Sequence, residues 1–274
     1  MNKYKILEKI GEGSFGQVYR GKYSRTGEEV AIKRVEKSKG SFKHEIKICN
    51  YLRGKSGIYN IRWYGSDINY YYVIFDLLGK SLSEYLMITS ENKFAPSTVR
   101  YLGRQILDII EYIHSKGIIH RDIKLDNFMM DGKNLCQVHL IDYGLSKTYL
   151  NNKNKHVEET DNNNPIGTNN YMSLNIHNGV RYSRRDDMIS IVYILCHILE
   201  GDMPWISEKN NLKLIQKKNN FFPKHQSLKK LFNLVNKLNY YEKPVYFIYK
   251  KYIERLADNE GLEWVVNKSY PILT

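Results

Sequence analysis

The first 75 positions carry short strand-like apolar runs around one helical stretch, and beyond them apolar residues recur mainly at helical spacing. Residues 4–22 read as two strands around Gly11-Glu12-Gly13-Ser14-Phe15-Gly16-Gln17-Val18. Val18 and Tyr19 favour extension. The glycine run is therefore a hairpin tip, unlike the strand-to-helix turn of a dinucleotide site. A strand is predicted over 29–35, in which Lys33 alternates with Val30 and Ile32, and a helix over about 41–52 with Ile46, Ile48 and Leu52 apolar. Strands follow at 61–64 and 70–75, and Asp76-Leu77-Leu78-Gly79 then breaks the pattern as a hinge would.

The remainder reads as mainly helical. Pro96-Ser97 is expected to cap a helix running to about Lys116 and ended by Gly117, with Leu102, Ile106, Ile109, Ile110 and Ile113 as its core stripe. Two short strands, 128–130 and 137–141, are joined by Asp131-Gly132. The polar stretch 145–170 reads as a long mobile loop. A second helical region starts near Ser183, and 188–199, apolar nearly all round, is predicted to be a buried central helix. Amphipathic segments near 228–238 and 245–256 complete it. The predicted fold is α+β: a small antiparallel sheet with one helix over 1–78, a hinge near 76–79, and a larger helical part over 79–274. No further domain or tail is expected.

Composition changes this picture little. With 274 residues and 42% apolar content the chain can bury a core, and the composition argues against disorder. Cys49, Cys136 and Cys196 show no CxxC spacing, which argues against a disulfide framework or zinc site and fits a reducing compartment. The longest apolar run is too short to span a bilayer and the start carries no signal core, so an intracellular protein, cytoplasmic or nuclear, is expected. The net charge of +13 favours acidic partners, from phosphoproteins to nucleic acid, without choosing among them.

The chemistry concentrates in His120-Arg121-Asp122-Ile123-Lys124-Leu125-Asp126-Asn127 and in Asp142-Tyr143-Gly144. Two carboxylates, an amide and an ammonium in this spacing suit phosphoryl transfer. One carboxylate orients an attacking hydroxyl, a cation steadies the migrating group, and an oxygen pair holds a metal. Upstream, the glycine hairpin lets backbone amides approach phosphate oxygens. A cleft-facing Lys33 needs an anionic partner, and Glu45 is the candidate. Exposed backbone near Leu78 suits a ligand ring. Phe75 narrows the deep end of such a pocket or simply packs in the core, and Met129 floors a base or is a core methionine.

With these residues assembled, the chain resembles a eukaryotic-type protein kinase over nearly its whole length. The resemblance rests on Gly11-x-Gly13-x-x-Gly16-x-Val18, Val30-Ala31-Ile32-Lys33, Glu45, His120-Arg121-Asp122 with Lys124 and Asn127, and Asp142-Tyr143-Gly144. Within kinases it is most similar to the casein kinase I family. That similarity is carried by Leu77-Leu78-Gly79-x-Ser81-Leu82, Asp126-Asn127-Phe128-Met129-Met130, the run from Gly167 to Asn175, and Tyr182-Ser183-Arg184-Arg185-Asp186-Asp187.

Carried over position by position, the resemblance implies an ATP- and Mg2+-dependent serine/threonine kinase. Asp122 is then the base, Lys124 the neutraliser of the transferring phosphoryl, Asn127 and Asp142 the metal ligands, and Lys33 with Glu45 the holder of the α- and β-phosphates. Nucleotide contacts are implied for Ile10, Gly11, Glu12, Gly13, Ser14, Phe15, Gly16, Gln17, Val18, Ala31, Lys33, Leu78, Met129 and Ile141. Asp187 resembles the aspartate that braces the catalytic loop. The partners implied are acidic or pre-phosphorylated proteins, met by a monomer with no need of membrane or nucleic acid, and activity without loop phosphorylation.

Three departures stand out: Tyr143 for the usual Phe, Leu125 for Pro, and Asn170 for an arginine that helps bind a substrate anion. The last puts the substrate rule in question, although Arg121 and Lys147 remain as an anion site. A vaccinia-related kinase is the nearest alternative, against which Ser183-Arg184-Arg185-Asp186-Asp187 argues. A kinase-fold scaffold is another, against which the retention of Lys33, Asp122 and Asp142 argues.

Overall fold

The computed structural model describes residues 3–13, 16–39, 42–89, 91–133, 135–161 and 164–258. Ser14, Phe15, Ser41 and the C-terminal stretch on which the absence of a tail was expected lie outside the described residues. The chain divides into two units, Met1–Lys80 with Met129–Gly144 and Ser81–Phe128 with Leu145–Thr274. The first combines an antiparallel sheet with one α-helix, and the second is mainly helical.

In the first unit β1 (Tyr4–Gly13), β2 (Gly16–Tyr23), β3 (Glu29–Glu36), β4 (Ile61–Ser66) and β5 (Tyr70–Asp76) form a sheet in the order β1-β2-β3-β5-β4. Alternation separates its faces. Val30, Ile32, Tyr72 and Ile74 are buried together on one face, with Tyr4, Ile6, Tyr19 and Trp63 packed against them. Ala31, Lys33, Val73 and Phe75 take the other face, and the register sets Lys33 between Val18 and Val73.

Helix α1 (Lys43–Leu52) buries Glu45, Ile48, Cys49 and Leu52, one stripe at helical spacing. The expected Ile46 is only half-buried. A carboxylate occupies the stripe because a cation waits opposite it, as described below. The segment 129–144 is tied into this unit by backbone hydrogen bonds, Gly79 N to Met130 O (2.8 Å), Met130 N to Lys80 O (3.0 Å) and Leu140 N to Gly57 O (2.9 Å).

The second unit opens with α2 (Leu82–Met87), which the apolar pattern did not announce but which Ser81 and Glu84 cap reciprocally. Helix α3 (Pro96–Ser115) buries the predicted stripe. Its cap differs from expectation. Pro96 sits in the first turn, where its missing N–H costs nothing, so Ala95 becomes the capping residue and supplies no side-chain bond. Ser97 is then inside the helix, and its buried Oγ has no hydrogen-bond partner among the described residues. Gly117, at φ 75°, turns the chain out of the helix.

After α4 (Leu174–His177), α5 (Arg184–Glu200) runs buried from Asp186 to Ile198, the central helix foreseen, and α3 and α7 (Gln226–Asn236) pack on it. The short helix α6 (Asn211–Asn219) packs on α4, and α8 (Tyr246–Glu254) on α3 and α7. The polar stretch after Leu145 is not loose at its start. Lys147–Thr148 pairs with Ile118–Ile119, and Tyr149 is buried with Ile119, Met172, Ile176 and Tyr182. One aromatic anchor among asparagines and lysines gave no periodic signal. Among the described residues no helix is long and apolar enough to cross a membrane.

Candidate active site

Two groups of the predicted residues are assembled, one in each unit. In the first unit the Lys33 ammonium lies 2.8 and 3.1 Å from the two oxygens of Glu45 and 3.8 Å from Asp142 Oδ1. Burial works against the lysine charge, but Glu45 and Asp142 outweigh it and hold the pKa above its ordinary value. The Tyr59 hydroxyl donates to Glu45 Oε1 at 3.0 Å, and the Cys49 thiol donates to that hydroxyl at 3.2 Å. Burial pushes the thiol up to about 12, so Cys49 is an unreactive donor. Tyr59 also stacks on Tyr143 with ring centroids 5.8 Å apart. Tyr59 was not foreseen: it is isolated in a loop, and nothing local marks it as a partner of α1.

Asp142 has φ 63°, a backbone state unfavourable outside glycine. Its Oδ1 accepts from Gly144 N at 3.3 Å, and its other oxygen has no hydrogen-bond partner among the described residues. At the hairpin, Gly16 has φ 129°, and a Cβ there would lie 2.4 Å from Arg34 O, so the fold itself demands glycine. A Cβ at Gly11 would meet nothing closer than 3.8 Å, so packing does not explain that glycine. Gln17 accepts from Arg34 at 2.8 Å, and Glu12 pairs with Lys9 at 2.7 Å. Ile10 is exposed, while Val18, Ala31, Leu78, Met129 and Ile141 are half-buried members of the same unit.

In the second unit the buried Asp122 carboxylate is held from both sides. Lys124 Nζ lies 2.9 Å from Oδ2, and the Thr168 hydroxyl donates to Oδ1 at 2.7 Å. Asn127 Nδ2 donates to Asp122 O at 2.8 Å and to Oδ2 at 3.2 Å. Burial raises the Asp122 pKa, yet the bonds from Lys124 and Thr168 prevail and hold it below the usual carboxylate value. Asp122 is therefore ionised at neutral pH and can only accept.

Beneath the loop lies Asp187, nearly fully buried. Its oxygens accept from His120 N (2.7 Å), Arg121 N (2.9 Å) and His114 Nε2 (3.0 Å). Arg121 is held at φ 71° by this grip. The Tyr246 hydroxyl closes the chain by donating to His114 Nδ1 at 2.5 Å. Each partner fixes the tautomer: neutral His114 carries its proton on Nε2.

A family model described as protein kinase domain matches residues 4–250. The chain belongs to the protein kinase family. The two units are accordingly the sheet-rich and helical parts of the bilobal kinase fold, and the chemistry of the family is phosphotransfer to proteins, with ATP and Mg2+ in general use. In this protein kinase, sequence reasoning found Asp187 but missed Thr168, His114 and Tyr246. Thr168 was visible only as the end of a polar stretch, and His114 sits among apolar positions of α3 where a core histidine is the ordinary expectation.

Proposed function

We propose that this kinase is serine/threonine-specific and of the casein kinase I type, moving the γ-phosphoryl group of ATP to Ser and Thr hydroxyls of proteins. The observation that carries the reading is the ionised Asp122 carboxylate, fixed by Lys124, Thr168 and Asn127. Such a group accepts the hydrogen bond of an incoming hydroxyl and takes its proton as the oxygen attacks. Lys124, two residues on, is placed to offset charge on the migrating group, and that spacing is what favours Ser and Thr. The test is phosphosite mapping on a degenerate peptide library with Mg-ATP. Phosphotyrosine as the main product would overturn the specificity.

The residues present suit the nucleotide and its cation. ATP supplies the phosphoryl group and Mg2+ its counter-charge. Asp142 keeps one unengaged oxygen, and Asn127 commits its amide nitrogen to Asp122 and retains its carbonyl oxygen. Hard cations take oxygen ligands of this kind, together with substrate phosphates. Lys33, steadied by Glu45, offers an ammonium to phosphates, and the hairpin around Gly11, Gly13 and Gly16 offers backbone N–H groups. Ile10, Val18, Ala31, Leu78, Met129 and Ile141 all belong to the first unit and offer apolar surface to a base. The Leu78 peptide groups have no backbone hydrogen bond among the described residues, which leaves them for the ring edge. In this reading residues 1–78, joined by 129–144, form the nucleotide-holding lobe and the rest of 79–274 the lobe that meets the protein substrate. Asp142→Asn is expected to lower nucleotide affinity in the presence of Mg2+ far more than in its absence. Equal titration curves for variant and wild type under both conditions would remove Asp142 from the metal site.

The same reading has the enzyme active as synthesised. Of the loop hydroxyls, Tyr149 is buried and donates to His114 O at 2.6 Å, so a phosphate does not fit there. Arg121, Lys147 and Arg181 line a cavity of about 230 Å³ with Thr148 and Thr160. Such a cavity suits an acidic or phosphorylated residue of a substrate. Asn170 does not substitute for a cation, since its amide lies against Ile206 O and its main-chain carbonyl accepts from Trp205. Phosphatase-treated enzyme and a Thr148→Ala, Tyr149→Phe, Thr160→Ala triple variant are expected to keep most activity in a peptide kinase assay. Loss of most activity in both would show that a phosphorylated loop is required.

A further inference from the structure

Lys218, in the last turn of α6, is 1% exposed, and among the described residues no carboxylate lies within ion-pair distance of it. Its Nζ donates instead to Asn169 O at 2.6 Å and Met172 O at 2.7 Å, and lies 3.2 Å from His177 Nε2. The rings of Tyr193 and Trp205 stand 5.2 and 5.5 Å from it. Burying an ammonium without a counter-charge costs free energy that an apolar side chain in α6 would avoid, and burial pulls the Lys218 pKa down to about 7; the nitrogen donates to both carbonyls whether or not it carries the charge.

What the ammonium touches explains its presence. The segment 169–172 is not helical, and its carbonyls are taken in succession by side chains: Asn169 by Lys218, Asn170 by Trp205, Tyr171 by Ser190, Met172 by Lys218. Lys218 thus supplies two of the four restraints. The residue immediately before this segment is Thr168, whose hydroxyl donates to Asp122 Oδ1. The chain between the clamp and the Asp122 contact is one peptide long.

We propose that Lys218 is a positioning residue for phosphoryl transfer, holding the 169–172 turn so that Thr168 stays on the Asp122 carboxylate. This rests on the assignment of Asp122 as the group that receives the substrate hydroxyl. His177 does not compete for the role: burial and the neighbouring Lys218 charge pull its pKa down to about 4, so it stays neutral and lends the ammonium a lone pair.

The test is a double-mutant cycle on kcat for a peptide substrate, with Lys218→Met, which keeps length and apolar volume, and Thr168→Ala. Misplacing a group beside the reacting centre commonly costs up to about a hundredfold, and Lys218→Met is expected to lower kcat by about tenfold or more while ATP KM holds. The double variant is expected to be little worse than Thr168→Ala alone, because both remove one restraint. An unchanged kcat, or losses that multiply independently, overturns the inference. If Lys218→Met does not fold by circular dichroism, Lys218→Gln, which retains two N–H donors without the charge, enters the same cycle with the same two outcomes. Asp122→Asn is run beside them. Full turnover in that variant would fell the Asp122 assignment and this inference together, whereas its loss alongside a normal Lys218→Met enzyme would fell only the inference.

Discussion

Asp122→Asn is expected to lower kcat by about 10²–10⁴-fold, the usual worth of a positioned general base, while nucleotide affinity stays near that of wild type. The substitution keeps the shape of the side chain and removes its charge. Lys124 then loses its anionic partner at 2.9 Å, and the amide offers an incoming hydroxyl a far weaker proton acceptor. Nothing in the first unit is touched: the Lys33–Glu45 pair, with Asp142 near it, is assembled entirely from residues 1–80 and 129–144. The loss should therefore appear in kcat and not in ATP binding, measured by single-turnover kinetics and by nucleotide titration. Near-normal turnover in purified Asp122→Asn enzyme would show that another group receives the proton.

The elements that follow a strict period were legible in the sequence, and so was the clustering of polar side chains within one short segment. Alternation placed β3 and an unbroken aromatic and apolar run placed β5, each to within a residue, and the stripe from Leu102 to Ile113 placed α3. Asp122, Lys124 and Asn127 could be read as one cluster because they sit within the eight consecutive residues from His120 to Asn127. What stayed hidden depends on contacts between distant positions. His114 meets Tyr246 across 132 residues, Lys218 meets Met172 across 46, and Tyr59 meets Glu45 across 14. No local pattern encodes such pairs, and each partner alone has an ordinary explanation as a core or surface residue. Helix α6 was missed for a related reason. It carries Lys213, Lys217 and Lys218 with few apolar residues, and a lysine takes one of its two buried positions. Glu45 shows the converse: a buried carboxylate on the stripe of α1 was expected as the partner of Lys33, and the structure adds Tyr59 as its second donor.

Asp187→Ala is expected to destabilise the kinase by about 3–5 kcal/mol, the range for removing one member of a buried, hydrogen-bonded charge network. Three donors lose their acceptor at once: the backbone N–H groups of His120 and Arg121, and His114 Nε2. Arg121 also loses the grip that holds it at φ 71°, so turnover should fall together with stability. Urea denaturation at pH 7 measures the first effect, and a change under about 1 kcal/mol, the level of a surface pair, would mean that Asp187 is not the brace its contacts describe. The network also predicts a pH dependence. Burial would raise the Asp187 carboxyl, but the hydrogen bonds from His114 Nε2 and His120 N hold it below its ordinary value. Its contribution is thus complete above the unfolded carboxylate pKa near 4 and is lost as pH falls through the folded value. His114 is lowered by its burial despite Asp187. Below about pH 6.5 the unfolded imidazole binds a proton that the folded one refuses, so unfolding free energy drops as pH falls from 7 toward 5. The half-buried His139, His156 and His177 and the buried His197 are lowered as well and share that slope. His114→Gln should therefore reduce the slope without abolishing it. A slope identical to wild type between pH 7 and 5 would mean that folding leaves the His114 pKa unchanged and that burial and Asp187 cancel on the ring.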